Sequence, residues 1–134
     1  MQRVYATNVF GAMLVARESA RHFVAQQRGS IVNVASTAGQ RGFAGGTAYA
    51  SSKFALSGLT ECWRAELRKF NVRVMQINPS EVQTGFVTAS GRPARAYSER
   101  KLQPADIAHA IVSMLAMEDR GFVPELSVWA TNPD

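Results

Sequence analysis

A layered α/β fold built on a parallel sheet is what this sequence predicts, and two observations carry that expectation. Short β-branched segments alternate with longer segments of helical period, and helices of about ten residues or more between strands impose parallel pairing through right-handed crossovers. Composition agrees: 46% of the 134 residues are apolar and 19% charged, which suits one globular domain over residues 1–134 and lies far from the signature of disorder.

Between Ala6 and Gln27 apolar residues recur at helical spacing. Ala12, Val15, Ala16, Ala20 and Phe23 fall on one side, expected to face the sheet, with Gly29 as the stop. SIVNVAS, residues 30–36, reads as a buried strand because it is short, β-branched and flanked by glycine and small residues. Gly39, Gly42, Gly45 and Gly46 then interrupt any period and read as loop punctuation, not as a phosphate cradle. Thr47 to about Phe70 reads as a long helix with Leu56, Leu59, Trp63, Leu67 and Phe70 on its apolar side. VRVMQIN, residues 72–78, is a second strand, closed by Pro79. The stretch after it carries Gly85, Gly91 and Pro93 without a sustained period, as a functional loop, a short-helix lid or a disordered segment would. Pro104 suits the first turn of a helix to about Met117, and LSVWA, residues 126–130, is the third strand.

Several function classes are disfavoured. The single cysteine, Cys62, cannot form an internal disulfide and offers no cysteine-rich metal site, so no metal is expected. Apolar runs fall far short of the ~20 residues of a membrane span and the first residues lack a signal-peptide pattern, so a cytoplasmic protein without a membrane partner is expected. The net charge of +5 raises the question of nucleic acid. The arginines are scattered, however, and the one cluster, Arg92, Arg95, Arg100 and Lys101, holds a single aromatic, Tyr97, so stacking platforms are missing and nucleic acid is not an expected partner.

TAYASSKFA, residues 47–55, puts Tyr49 and Lys53 four positions apart, hence side by side on a helix. A phenol ordinarily titrates near pH ~10, and a neighbouring ammonium favours the phenolate, bringing the group toward use as a general acid or base. Three tyrosines and three lysines would produce this spacing by chance with a probability of roughly 0.07, so the pair alone is weak. Ser36, at the end of a predicted strand, adds a hydroxyl where parallel sheets present groups to ligands, and it could donate to a substrate oxygen as charge grows there. A plain strand-end serine is the alternative.

Together, a serine ending an NVAS-type strand, YxxxK opening a long helix thirteen residues later, then NP followed by a threonine resemble the short-chain dehydrogenase/reductase family over nearly the whole chain. The resemblance implies a Rossmann-like, doubly wound parallel sheet in three α/β/α layers and an NAD or NADP cofactor, NADP being favoured. It also implies a small-molecule carbonyl or alcohol substrate. Tyr49 would exchange the proton at the substrate oxygen, Lys53 would assist it and hold the nicotinamide ribose, Ser36 would hold the reacting oxygen, and Asn8 would support a water-linked relay. Pro79, Ser80, Val82 and Thr84 would meet the cofactor, with residues 85–102 as the substrate lid. Ser80 stands where the family usually has glycine, and a positive φ there would strain a serine. FVPELSVWATNPD resembles the tails of 3-oxoacyl-carrier-protein reductases.

No TGxxxGxG or GxGxxG occurs, although close approach of backbone to a pyrophosphate needs such a turn. The expectation is therefore the C-terminal, catalytic half of the domain, with one edge of the Ser36 strand unpaired. The family also pairs its long helices across a two-fold axis, here about residues 6–27 and 47–70, as a homodimer or homotetramer. A non-catalytic remnant that dimerises through those helices is the competing reading.

Overall fold

The computed structural model describes residues 1–134. It opens with a continuous helical run in three pieces: α1 (Gln2–Tyr5), a π-helical segment (Ala6–Gly11) and α2 (Ala12–Gln26). The helix thus begins at Gln2, ahead of the apolar period. It ends at Gln27, not at Gly29. Gln27 takes left-handed backbone at φ 54°, and its side-chain Nε2 donates to Val24 O at 2.9 Å, adding to the bond that carbonyl accepts from the Gln27 backbone N–H at 3.2 Å. Gly29 instead starts the first strand, where the Phe23 ring packs so close that a Cβ would stand 2.2 Å from it. Val15, expected to face the sheet, is 69% exposed, whereas Ala16 is buried. The two differ by about 100° of helix rotation, enough to carry Val15 off the buried face.

Strands β1 (Gly29–Val34), β2 (Val72–Pro79) and β3 (Glu125–Val128) form a parallel sheet in the order β1-β2-β3. Gly29 is opposite Val72 in the first pair and Gln76 opposite Glu125 in the second. The outer edge of β1 has no partner strand. Helix α3 (Thr47–Leu67), prolonged by a 3-10 turn at Arg68–Phe70, covers one face of the sheet together with α2, while α5 (Pro104–Leu115) covers the other. A four-residue helix, α4 (Phe86–Ala89), lies in the long connection after β2.

The central strand shows why both faces are needed. Alternate side chains point to opposite faces of a strand, and in β2 Met75 and Ile77 meet Leu102, Ile107 and Met114 in the core under α5. Gln76 and Asn78, both buried, point to the α3 face instead. Gln76 Nε2 donates to Ser57 Oγ at 3.0 Å and to Asn78 Oδ1 at 2.8 Å, and Asn33 Nδ2 donates to Thr60 Oγ1 at 2.8 Å. No buried side-chain polar atom lacks a partner, as burial of polar groups requires. Helix α5 starts where Pro104 predicts, with Gln103 and Asp106 forming a reciprocal capping box. Arg73 closes its other end, donating to Met117 O at 2.9 Å and Leu115 O at 3.3 Å.

No helix is long and apolar enough to cross a membrane, and no three His, Cys, Asp or Glu side chains gather where a metal ion could sit. Ile77 is fully buried at the centre of the α5-side core. Ile77→Ala is expected to lower the unfolding free energy by about 2–5 kcal/mol in urea titration, through lost burial and the cavity left behind.

Candidate active site

Because all strands run in parallel, their C-terminal ends lie on one side, and the chain beyond each end brings its residues there. Ser36 follows β1 with extended backbone and caps the 3-10 turn Thr37–Gly39, its Oγ accepting from Ala38 N–H at 3.1 Å. That bond uses the oxygen as acceptor and leaves the hydroxyl hydrogen free to donate. The turn lies directly on α3. A Cβ on Gly39 would come within 2.9 Å of Lys53 O, so only glycine lets the turn approach this closely.

Tyr49 and Lys53 stand one helical turn apart near the start of α3, with Lys53 Nζ 5.8 Å from the centre of the Tyr49 ring. Lys53 Nζ donates to Val34 O, the last carbonyl of β1, at 3.0 Å. Burial holds this ammonium below the usual lysine value of 10.5, because desolvation disfavours its charged form. An ammonium has three donors, and one is engaged here. The remaining donors, in a half-buried position without a carboxylate partner, suit the hydroxyls of a ribose. The nicotinamide end of a cofactor therefore fits the groups present.

Asn8 lies in the π-helical segment, where the widened turn accompanies functional positions in many helices. Its Nδ2 donates to Ser52 Oγ at 3.1 Å, and Ser52 Oγ donates to Tyr49 O at 2.7 Å, so Asn8 is tied to the backbone of the tyrosine. Asn8 and Tyr49 together line a cavity of about 510 Å³. Ser36 and Lys53 are not part of its lining; they belong to the strand-end side of the tyrosine.

Of the remaining residues singled out in the sequence, Pro79 closes β2 and is buried. Ser80 N–H donates to Val128 O at 2.9 Å, and the left-handed non-glycine residues are Gln27 and Asn71, so Ser80 carries no such strain. Val82 bridges to Leu102 and shares a small separate pocket of about 110 Å³ with Thr84. Thr84 Oγ1 accepts from Phe86 N–H at 3.1 Å, which starts α4. Phe86, inside the stretch expected as the substrate lid, packs on Tyr49 with ring centres 5.4 Å apart. Arg92, from the same expected lid, also lines the tyrosine's cavity, together with Phe43, Arg3 and Thr7, which the sequence did not single out. Arg3 and Thr7 stand one turn apart on the first helical run and Phe43 in the loop before α3, and none carries a local signal of its role.

A second loop contact seals the α3 face. Gln40, just past the Ser36 turn, donates from Nε2 to Glu125 Oε1 at 2.9 Å and to Ser127 Oγ at 3.3 Å on β3. Asn78 Nδ2 donates to the same Glu125 oxygen at 2.6 Å.

A parallel sheet with helices on both faces is a Rossmann-like α/β fold, with Ser36 beyond the end of β1 and Tyr49 and Lys53 one turn apart near the start of α3. The family model for short chain dehydrogenase matches residues 1–94, and the chain belongs to that family. It is 32% identical over 132 residues to the NADP-dependent 3-hydroxy acid dehydrogenase of Schizosaccharomyces pombe, covering 94% of this chain and 51% of that protein. It is 44% identical over 85 residues to the L-xylulose reductase of Caenorhabditis elegans, covering 63% of this chain and 34% of that one. Among solved structures, a betaketoacyl-[ACP] reductase from Bacteroides thetaiotaomicron superposes with a TM-score of 0.74 at 27% identity, covering 92% of this chain and 50% of its own. The chain thus spans about half the length, or less, of these relatives.

The lowered pKa of Lys53 has a measurable consequence. Between that lowered value and 10.5 the unfolded chain binds more protons than the folded one, so the unfolding free energy rises with pH across this window. Below the window the cost of burying the ammonium is fully present. Urea titrations at stepped alkaline pH are expected to show this rise in the wild type and a smaller one in Lys53→Met.

Proposed function

We propose that the chain carries the catalytic groups of an NAD(P)-dependent oxidoreductase that interconverts a carbonyl and an alcohol, with Tyr49 as the general acid and base. The observation that carries this reading is the placement of Tyr49 between Lys53, 5.8 Å from its ring, and an open cavity large enough for a small molecule. A nicotinamide cofactor, when bound, supplies or accepts the hydride at the substrate carbon. Lys53 holds the ribose end of that cofactor, and Pro79, Ser80, Val82 and Thr84 border it. NADP is favoured over NAD because the Schizosaccharomyces pombe relative is NADP-dependent by name.

The chain's own work concerns a proton and an oxygen. In the reductive direction the Tyr49 hydroxyl gives its proton to the substrate oxygen, and the Ser36 hydroxyl donates a hydrogen bond to the same atom. The Lys53 ammonium offsets the charge left on the phenol oxygen, and Asn8 holds the Tyr49 backbone through Ser52 while supporting return of a proton from water. Phe43 and Phe86 give the cavity apolar walls. A 3-oxoacyl compound is the favoured substrate class, supported by the likeness to the Bacteroides thetaiotaomicron reductase. These 134 residues hold no glycine-rich turn for the cofactor's pyrophosphate, so its affinity for this chain alone is expected to be low.

The same reading assigns a self-association surface to α2 and α3. Met13, Leu14, Val24, Trp63 and Leu67 line an apolar groove of about 620 Å³ between the two helices, and Phe10 and Leu14 are more than half exposed beside it. A second copy presenting the same face would bury both.

Two measurements test these proposals. NADPH consumption with a 3-oxoacyl thioester is expected to fall by about 10²–10⁴ in Tyr49→Phe while circular dichroism is unchanged; undiminished turnover would refute the role of Tyr49. Light scattering is expected to give a dimer or tetramer for the wild type and a monomer for Leu14→Glu, and a wild-type monomer at high micromolar concentration would remove the self-association surface.

A further inference from the structure

We propose that the cavity beside Tyr49 selects substrates that carry an anionic group, a carboxylate or a phosphate, and that Arg3 and Arg92 bind it. The proposal rests on the reading of Tyr49 as the reacting group and adds the substrate's charge to it. The two arginines reach the cavity from opposite directions in the sequence, Arg3 from α1 and Arg92 from the chain just after α4. No acidic side chain lines the cavity.

The other cations near the long connection are already satisfied. Arg95 and Lys101 both pair with Glu81, and Arg100 Nη1 donates to Asp134 O at 2.7 Å. Arg3 and Arg92 have no ion pair and no side-chain hydrogen bond. Exposed unpaired arginines are ordinary on a protein surface; convergence of two on one concave site without a counter-charge is what sets these apart. Guanidinium groups present forked donors that match carboxylate and phosphate oxygens in pairs, so two of them at one cavity favour such a group over a neutral one.

The remaining lining fits a short carbon skeleton between the charge and the tyrosine. Val4, Phe43, Phe86 and Ala89 give it apolar contact, and about 510 Å³ holds a small molecule rather than a polymer. Lys53, Pro79 and Ser80, which the proposed function gives to the cofactor, do not line this cavity, whereas Tyr49, which it gives to the substrate, does.

Isothermal titration of the full chain with 3-hydroxybutyrate, glycerol 3-phosphate and the neutral methyl ester of 3-hydroxybutyrate tests the proposal without requiring turnover. At least one anion is expected to bind about tenfold or more tightly than the ester, and the tighter of the two identifies carboxylate or phosphate. The preference is expected to vanish in the double variant Arg3→Gln, Arg92→Gln and to return in part when both positions carry lysine. Equal binding of ester and anions, no binding of either anion, or an unchanged preference in the double variant would overturn the proposal. An anion preference alongside undiminished turnover in Tyr49→Phe leaves this inference standing and removes the catalytic reading, whereas turnover lost in Tyr49→Phe without an anion preference does the reverse.

Discussion

A lysine ammonium would not normally remain half-buried beside a sheet, because removing its charge from water costs several kcal/mol unless hydrogen bonds replace the lost hydration. Here the last carbonyl of β1, Val34 O, accepts from Lys53 Nζ at 3.0 Å and makes the position tolerable. That one contact fixes the start of α3 against the end of β1. The main chain of the same lysine takes the Thr37–Gly39 turn on its other side, where Gly39 lies too close for any Cβ. Ser36 and Tyr49 are therefore both positioned through Lys53, one through a turn resting on its backbone and the other through a single turn of helix. The burial that costs stability is the same burial that holds this ammonium below the usual lysine value.

What the sequence disclosed and what it concealed divide along the range of the interactions. The order of strands and helices, the pairing of Tyr49 with Lys53 and the strand-end place of Ser36 all depend on period and neighbours, and they are legible in a string of letters. The face of α2 was less so: Val15 and Ala16 differ by one step of rotation, and only the packed sheet selects between them. The left-handed Gln27 shows the same limit, since glycine is the usual residue there and Gln27 succeeds by supplying its own side-chain bond to Val24 O. Phe86 against Tyr49 and Ser52 against Asn8 are contacts across 37 and 44 positions of sequence, with no local pattern to announce them.

The two faces of the sheet are held by different physics. Under α5 the contacts are apolar and tolerate small changes of shape, provided volume is conserved. Under α3 they are directional: the buried Gln76, Asn78 and Thr60 and the half-buried Asn33 are amides and a hydroxyl, each with a partner at hydrogen-bond distance. A polar layer of this kind is unforgiving, since removing one member leaves another buried and unpaired. It lies on the face that carries Tyr49, Lys53 and the Ser36 turn, where exact placement matters most.

The bond from Gln40 to Glu125 reaches from the first strand's loop to the last strand. A strand that slips by one position turns every side chain to the opposite face. Such a slip of β3 would swing Glu125 beneath α5, strand Asn78 without its acceptor and release Gln40 together with the turn that ends in it. Alignment of the final strand is thereby checked at the far side of the molecule, and a chain that closes its sheet out of step loses the bonds that tie the residue after the Ser36 turn to β3.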